Sequence, residues 1–280
     1  MSRPLRLVTF NVLHDGARTS AGPWPGRRDL VVDLLRSANA DVLCLQEVSP
    51  RQRSDLEAAL PEFECHAGSM SGPPRFPPLL GFLAPLLRRK IGSFLDEGEL
   101  CPIFLRQDRL RAVASGSFHT KHSEGPAGDT FRSPHVVNWV HAEDVGTGLR
   151  FTVHSTHLGL LPWRGAATAR NLLSSIAANE QPGVQVLCGD FNSYSFGPAV
   201  RTLLNGTHGP PFRDGWRIAE RRRGRDATFR MWWGVPDPRI DYVFVTPEIR
   251  VIEAETIVGD RDGRMPSDHS ALRVDLAIEG

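Results

Sequence analysis

The chain alternates short apolar runs, which predict strands, with segments whose apolar residues have helical spacing. Residues 6–13 (RLVTFNVL) predict a strand, residues 26–40 an amphipathic helix, and residues 41–48 (DVLCLQEV) a second strand. The same order of strand, helix and strand returns over residues 149–193. We therefore expect two halves of similar plan within one fold, although their amino-acid sequences are too divergent to be a sequence repeat.

The last third of the chain adds four short strand-like runs, which are broken by Pro, Gly and Asp. They cover residues 227–233, 239–247, 250–258 and 267–278. Strands dominate the pattern, and no linker-like composition divides them. We expect a single domain over residues 1–280, with an α/β fold in which two sheets pack together and helices lie outside them.

Residues 68–98 depart from this plan. They open with a Pro-rich loop and continue with Leu, Ile and Phe residues at helical spacing, with the basic triplet Arg88–Lys90 between them. One interpretation is a surface helix packed on the core. The other is a lid or an interfacial helix that meets an amphiphilic substrate or a bilayer surface.

Composition and charge narrow the class of protein. The 280 residues are 40% hydrophobic, and 33 basic against 32 acidic side chains leave a formal charge of +1. This balance argues against a broadly basic nucleic-acid binder. No signal-peptide pattern and no membrane-spanning stretch is visible, so we expect a cytoplasmic protein whose four cysteines are reduced and structural.

Polar side chains follow the predicted strands at the points where the strands end. Asn11 follows one apolar run, Glu47 a second, His157 a third, and Asp190 and Asn192 a fourth. Each of these groups can bind a metal or move a proton. Because rigid strands can aim several side chains at one point, this edge is where an enzyme of this fold class would carry its site.

Two further signals lie nearer the C-terminus. Asp241 stands inside the apolar run RIDYVFV, where an ionised carboxylate is costly unless a cation, a histidine or a metal compensates it. Asp268 and His269 are adjacent, just before another apolar run.

Taken in order, six short motifs point to a known family. The set TFNVL, LCLQEV, STHL, GDFNS, RIDYVF and SDHSAL resembles the endonuclease/exonuclease/phosphatase superfamily with its DNase I-like fold, from Leu5 to about Ile278. The resemblance implies a four-layered α/β sandwich, with two mainly antiparallel sheets flanked by helices. It also implies a phosphoesterase that depends on a divalent metal.

The resemblance assigns the metal site and the attacking water. Glu47 would be the principal Mg²⁺ ligand, with Asn11 and Asp268 nearby in the metal shell. Oxygen ligands suit Mg²⁺ or Mn²⁺, which keep several waters. Asp190 would orient and deprotonate the water that attacks phosphorus in line, and Asn192 would hold that water or a non-bridging oxygen.

The same resemblance gives the histidines their roles. His157 and His269 would donate to the phosphoryl oxygens as charge develops, with Glu99 paired to the first and Asp241 orienting the second. Where the family usually has Asn in the third motif, this chain has Ser155, which His154 precedes. We interpret His154 as a packed or hydrogen-bonded neighbour. The scattered residues His119, His122 and His135 are a poor match to a zinc site.

The shared site does not decide the substrate. We expect a Mg²⁺-dependent phosphatase or phosphodiesterase that acts on a small-molecule or lipid phosphate, as a monomer and with transient lipid contact allowed. An endonuclease or exonuclease is the alternative, and a non-catalytic binding module is disfavoured because the motif residues are all present. The basic run 221–225 is either solvated or phosphate-binding, and Trp216, Trp232 and Trp233 are either core or stacking residues.

Overall fold

The computed structural model of the chain describes residues 3–17, 19–71, 98–120, 135–159, 165–179, 183–231 and 237–278. Its strands, in chain order, are β1 (Leu5–Asn11), β2 (Val42–Gln46), β3 (Phe63–His66), β4 (Ile103–Arg106), β5 (Leu110–His119), β6 (Val136–Asp144), β7 (Arg150–His157), β8 (Val184–Asp190), β9 (Arg213–Asp214), β10 (Arg221–Arg223), β11 (Asp241–Val245), β12 (Ile249–Ile257) and β13 (Ala271–Ile278). Its α-helices are α1 (Arg28–Ser37), α2 (Pro50–Ala59), α3 (Gly165–Ala178), α4 (Pro198–Leu204) and α5 (Gly215–Ile218).

These strands form two mixed sheets. The first has the order β10-β12-β13-β1-β2-β4-β3, and the second has the order β5-β6-β7-β8-β11-β9. Most neighbours are antiparallel, and the parallel pairs are β1 with β2, β7 with β8, and β10 with β12. The prediction of two mainly antiparallel sheets is confirmed.

The alternation of apolar residues in the strands explains how the layers pack. In β1, Leu5 and Leu7 face the second sheet, whereas Val8 and Phe10 face α1 on the outer side. The second sheet has the same arrangement, because its outer face packs against α3 and α4. The layers therefore run helix, sheet, sheet, helix, which confirms the four-layered α/β sandwich.

Two parallel strand pairs set the position of the site. Both β1–α1–β2 and β7–α3–β8 are strand, helix, strand units, as the repeated pattern predicts. The carboxyl ends of two parallel strands lie at the same edge of a sheet. β11 and β13 run antiparallel to β8 and β1, so the residues that open them lie at that edge as well.

One strand prediction is wrong. Residues 227–231 form only a single bridge, between Phe229 and His269, and 232–233 lie outside the described residues. The amide groups of Thr228 and Phe229 both donate to the carbonyl of Pro238, at 2.9 and 3.0 Å. This turn-like bonding takes up the donors that a strand ladder would need.

Other expectations have mixed outcomes. The four cysteines are free, and Cys44 and Cys188 lie in buried strands as predicted. Of the predicted insertion at 68–98, residues 72–97 lie outside the described residues. No helix in the described parts of the chain is long and apolar enough to span a bilayer.

Candidate active site

Asn11 and Glu47 meet where β1 and β2 end. The Asn11 amide donates to Oε1 of Glu47 at 2.9 Å and to Oδ2 of Asp190 at 3.1 Å. The backbone amide of His14 donates to Oε2 of Glu47 at 3.1 Å, so both carboxylate oxygens are held in place. Glu47 has a φ of 58°, a left-handed conformation that costs a non-glycine residue about 1–3 kcal/mol and is typical of functional positions.

Gly189 explains how β8 delivers Asp190 to the same point. Its φ is 141°, and a Cβ at this position would lie 1.8 Å from the carbonyl oxygen of Thr156 in β7. Only glycine allows the two parallel strands to approach so closely here. Directly after it, Oδ1 of Asp190 accepts the backbone amide of Asn192 at 2.8 Å, and Asn192 itself has a φ of 46°.

His157, the last residue of β7, is held between two carboxylates. Its Nδ1 lies 2.8 and 3.0 Å from the two carboxylate oxygens of Glu99. Its Nε2 lies 2.9 Å from Nδ2 of Asn192 and 3.5 Å from Oδ2 of Asp190. The structure thus contains the pairing of Glu99 with His157 that the family resemblance implies.

His269 has a matching arrangement on the other side of Asp190. Its Nδ1 lies 2.9 Å from Oδ2 of Asp241, and its Nε2 lies 3.7 Å from Oδ2 of Asp190. Asp241 opens β11 directly opposite Asp190 in the strand register. The Phe229 ring packs on the His269 ring, with the ring centroids 4.9 Å apart.

Both imidazoles are stabilised as cations. Burial would lower the pKa of His157, but the carboxylates of Glu99 and Asp190 outweigh it and hold the pKa well above its usual value. Burial opposes protonation of His269 as well, yet Asp241 above all raises its pKa to about 10. At neutral pH the site therefore contains two imidazolium groups.

The carboxylates respond to the same charges in different ways. Burial and the Asp241 carboxylate raise the pKa of Asp190 to about 6, against the lowering effect of the two imidazoles. Burial would also raise the pKa of Glu47, but His157 and the Asn11 amide bring it below the usual value. Glu47 is therefore ionised across the physiological range.

The donor set fits a hard divalent cation. Glu47, His157 and Asp190 each offer a ligand atom within 4.8 Å of the others, and so do Asp190, Asp241 and His269. Oδ1 of Asp241 is buried and accepts no hydrogen bond from the residues that the structure describes. Clustered carboxylate oxygens are the ligands that Mg²⁺ and Mn²⁺ prefer.

Asp268 lies near this set but outside both compact groups of described residues. Burial raises the pKa of Asp268, and the negative charge of Glu47 adds to the effect. The structure therefore brings Glu47, Asn11 and Asp190 into direct contact and places Asp268 at the side. The assignment of Asn11, Glu47 and Asp268 as the metal shell stays a prediction.

Sequence reasoning missed Arg27, which is fully buried next to the site. Its guanidinium donates to the backbone carbonyls of Val12 and Leu13 and, at 2.9 Å, to that of Pro266. Burial lowers the pKa of Arg27 to about 10, although Asp268 counteracts it. In the sequence Arg27 is one of two adjacent arginines before a predicted helix. Nothing in that pattern distinguishes a buried arginine that binds backbone carbonyls.

Ser267 is a second residue that the motifs left without a role. Its hydroxyl donates to the carbonyl of Asn11 at 2.7 Å and accepts the backbone amide of His269 at 3.1 Å. It therefore fixes the loop that carries Asp268 and His269 against the end of β1. The sequence feature that could have indicated this role is that Ser267 directly precedes Asp268 and His269.

The structure decides two alternatives that the sequence left open, those for His154 and Trp216. His154 is buried, with Nε2 3.1 Å from Oε1 of Gln185, and burial lowers its pKa to about 4, so it is a packed neighbour as predicted. Trp216 lies in the core between the sheets. The basic residues of β10 are exposed on an edge strand, where Arg221 and Arg223 face Glu253. His122, Trp232 and Trp233 lie outside the described residues.

Solved structures share this fold across nearly their whole length. An endonuclease/exonuclease/phosphatase from Bacteroides vulgatus superposes with a TM-score of 0.79 at 24% identity, covering 99% of this chain and 100% of that one. A mannosyl-6-phosphatase from Bacteroides thetaiotaomicron gives 0.74 at 21% identity, covering 98% and 100%. The human Nocturnin catalytic domain with bound sulfate gives 0.71 at 18% identity, covering 100% and 96%.

Sequence comparison agrees with the fold. A search of curated proteins gives no significant match. The model of the Endonuclease/Exonuclease/phosphatase family, however, matches residues 8–269, a span that includes every residue of the site described above. The chain therefore belongs to the endonuclease/exonuclease/phosphatase family.

Proposed function

We propose that the protein is a metal-dependent hydrolase of phosphoesters, in which water attacks phosphorus in line. One observation carries this proposal. Oδ2 of Asp190 lies 3.1 Å from the Asn11 amide, 3.5 Å from Nε2 of His157 and 3.7 Å from Nε2 of His269. A single carboxylate thus faces two imidazolium groups, each backed by its own acid, which is an arrangement suited to a base beside an anionic substrate.

Asp190 is the residue that would take the proton from water. Its pKa of about 6 leaves it ionised at neutral pH but still basic enough to accept a proton in the transition state. The bond to the Asn192 backbone fixes the carboxylate, and the Asn192 side chain beside it can hold the water. The ester bond then breaks on the opposite side of phosphorus, and the departing oxygen takes a proton from water and leaves as the alcohol.

The imidazolium groups and the acidic cluster would stabilise the phosphoryl group. His157 and His269 can donate to its non-bridging oxygens, because their Nε2 atoms both point toward Asp190. Glu47, with Asn11 and Asp268 nearby, would hold Mg²⁺ or Mn²⁺. When bound, the ion would supply positive charge for the phosphoryl oxygens.

We propose a small-molecule or lipid phosphate as the substrate, with the protein acting as a monomer. The formal charge of +1 over 280 residues supports this choice, because a nuclease benefits from a broad basic face. The fold neighbour from Bacteroides thetaiotaomicron is named as a mannosyl-6-phosphatase, which is in line with this choice. Cleavage of DNA or RNA is the alternative that the test below separates.

The first test is metal-dependent release of inorganic phosphate from nucleotides, sugar phosphates, inositol phosphates and alkyl phosphates. Asp190→Asn should lower kcat by about 10²–10⁴-fold, because it removes the base but keeps the shape. Asp33→Asn is a matched control, since that aspartate is exposed and pairs with Arg261. Chelation of the metal should abolish the wild-type activity.

Other outcomes would change the proposal. If no monoester releases phosphate but choline phospholipids are cleaved, the protein would be a lipid phosphodiesterase. Nicking of plasmid DNA alone would favour the nuclease. If no phosphoester is cleaved and calorimetry detects no Mg²⁺ binding, the protein is not a hydrolase of this type.

A further inference from the structure

The candidate site has two halves, which belong to different sheets. In the first half, Asn11 ends β1 and Glu47 follows β2, both in the seven-stranded sheet. In the second half, His157 and Asp190 end β7 and β8 of the six-stranded sheet. The proposed chemistry brings both halves to one phosphorus atom, so it is sensitive to any movement of one sheet over the other.

An apolar cluster fills much of the space between the sheets. It includes Leu7 and Val42 from the first sheet and Val153 and Val186 from the second. Apolar contacts have no preferred direction, so they hold the sheets together without fixing how far one has slid over the other. A hydrogen bond between the sheets would fix that position, because its geometry is directional.

Gln46 makes such a bond next to the site. It is the last residue of β2, it is fully buried, and the alternation of the strand places its side chain on the same inward face as Cys44. Its side-chain amide donates to the hydroxyl of Ser155 in β7, at 3.3 Å. The bond therefore joins the residue before Glu47 to the residue two positions before His157.

The other bonds of the Gln46 amide hold it in one orientation. Its oxygen accepts the Thr9 hydroxyl at 3.2 Å, and its nitrogen also donates to the carbonyl of Cys44 at 3.2 Å. Thr9 and Ser155 are fully buried as well. Because a buried polar group without a partner is costly, this network favours a single arrangement. It spans β1, β2 and β7, three strands whose ends carry residues of the site.

We propose that Gln46 is a positioning residue, which sets the spacing between the two halves of the site through its bond to Ser155. The proposal rests on the hydrolase function proposed above and adds to it a residue that acts through its neighbours. It also gives a role to Ser155, the position at which this chain departs from the usual motif of the family.

Kinetics of three variants test the proposal, on the best substrate of the phosphoester panel described above. Gln46→Met keeps the length of the side chain but removes its bonds, so kcat should fall by about 10–100-fold while KM stays within about threefold. Ser155→Ala removes only the partner in β7 and should lower kcat in the same way. The double variant should lose little more than Gln46→Met alone, because both changes remove one bond.

Thr246→Val is the matched control for a loss of stability. Thr246 is buried, and its hydroxyl accepts the backbone amide of Gln185 at 3.1 Å, near the end of β8 that lies away from Asp190. Thr246→Val and Gln46→Met should both unfold at a lower urea concentration, but only Gln46→Met should lower kcat in assays well below the transition. Equal kcat values for these two variants would overturn the positioning role. So would losses from Gln46→Met and Ser155→Ala that multiply in the double variant.

A binding measurement separates this proposal from the hydrolase proposal. Vanadate can accept a fifth oxygen and so resemble the transition state of in-line attack, whereas inorganic phosphate stays tetrahedral. In calorimetry on the Mg²⁺-loaded protein, we expect Gln46→Met to weaken vanadate binding at least about tenfold and phosphate binding by less than about threefold. Unchanged vanadate affinity, or an equal loss for both anions, contradicts the positioning role even if hydrolysis is seen. The expected difference without hydrolysis of any ester would support the positioning role and reject the hydrolase.

Discussion

Each site histidine has one nitrogen against a buried acid and the other facing Asp190. His157 uses Glu99 in this way, and His269 uses Asp241. The pKa of His269 is about 10 and that of Asp190 is about 6. At neutral pH His269 is therefore positively charged and Asp190 negatively charged. The protonation states that the proposed chemistry needs are therefore the resting states of the protein.

These values predict a pH window for activity. Asp190 must be deprotonated to act as a base, so kcat/KM should rise as pH increases through about 6. His269 must be protonated to donate, so kcat/KM should fall only as pH approaches about 10. The measurement is kcat/KM from pH 5 to 9.5 on a substrate that does not itself titrate there.

Asp241→Asn serves as the control for the basic side of this profile. It removes the main cause of the raised pKa of His269, so the decline should move to lower pH, inside the measured range. The rise of kcat/KM on the acidic side of the profile should not shift to higher pH. The Asp241 charge raises the pKa of Asp190, so its loss can only lower that pKa. An unchanged basic limb would show that His269 does not need its proton.

At this scale the sequence predicts which side chains meet but not what holds them. Asn11, Glu47, His157 and Asp190 could be found because each stands where a predicted strand ends. Arg27 could not, because its guanidinium binds backbone carbonyls that any residue would supply. Contacts with the backbone leave no trace in the pattern of side chains.

At the scale of the elements, the approach of β7 to β8 determines the geometry of the site. These strands pair in parallel, with His157 opposite Asp190 and Thr156 opposite Gly189. The missing side chain at Gly189 lets the backbones approach, and the two catalytic candidates follow immediately. A small displacement here would alter the distance between His157 and Asp190.

Gly189→Ala should therefore be strongly destabilising. Its φ of 141° is unsuited to alanine, and the new Cβ would meet the Thr156 carbonyl at 1.8 Å. We expect the free energy of unfolding to fall by about 3 kcal/mol or more, measured by urea denaturation. Gly26→Ala, where a Cβ meets nothing within 4 Å, should be nearly neutral. Similar stabilities for the two variants would contradict this interpretation.

Periodicity predicted most elements but failed where pairing depends on distant partners. The helix α1 and the strands β1, β2 and β8 follow from local apolar spacing. The run from residue 227 is equally strand-like in composition, yet the amides of Thr228 and Phe229 both bond to the carbonyl of Pro238. A local pattern can state that a segment suits a strand, but not whether a partner strand lies beside it.

At the scale of the whole molecule, Arg27 joins segments that are distant in sequence. It binds the carbonyls of residues 12–14, which follow Asn11, and that of Pro266, which precedes Asp268. One buried side chain thus connects the loop that follows Asn11 with the loop that carries Asp268, two of the three residues of the predicted metal shell. Its positive charge also lies near Glu47 and Asp268.

Arg27→Met should weaken both folding and metal binding. It leaves several buried carbonyls without donors, so the free energy of unfolding should fall by about 3 kcal/mol or more. Because the loops lose their connection, Mg²⁺ affinity measured by calorimetry below the unfolding transition should fall as well. Arg27→Lys keeps the charge but has fewer donors in fixed positions, and it should be intermediate in both. If Arg27→Met has the stability and the Mg²⁺ affinity of the wild type, Arg27 does not connect the two loops in this way.

The position of β1 between β2 and β13 also has a consequence for synthesis. β1 pairs with β13 through residues 272–276, more than 260 positions away along the chain. Until that segment leaves the ribosome, one edge of β1 has no partner, and exposed strand edges promote aggregation. β1 precedes the other described strands along the chain and is thus among the last of them to be completed. Chaperone demand should therefore persist until translation of this region ends.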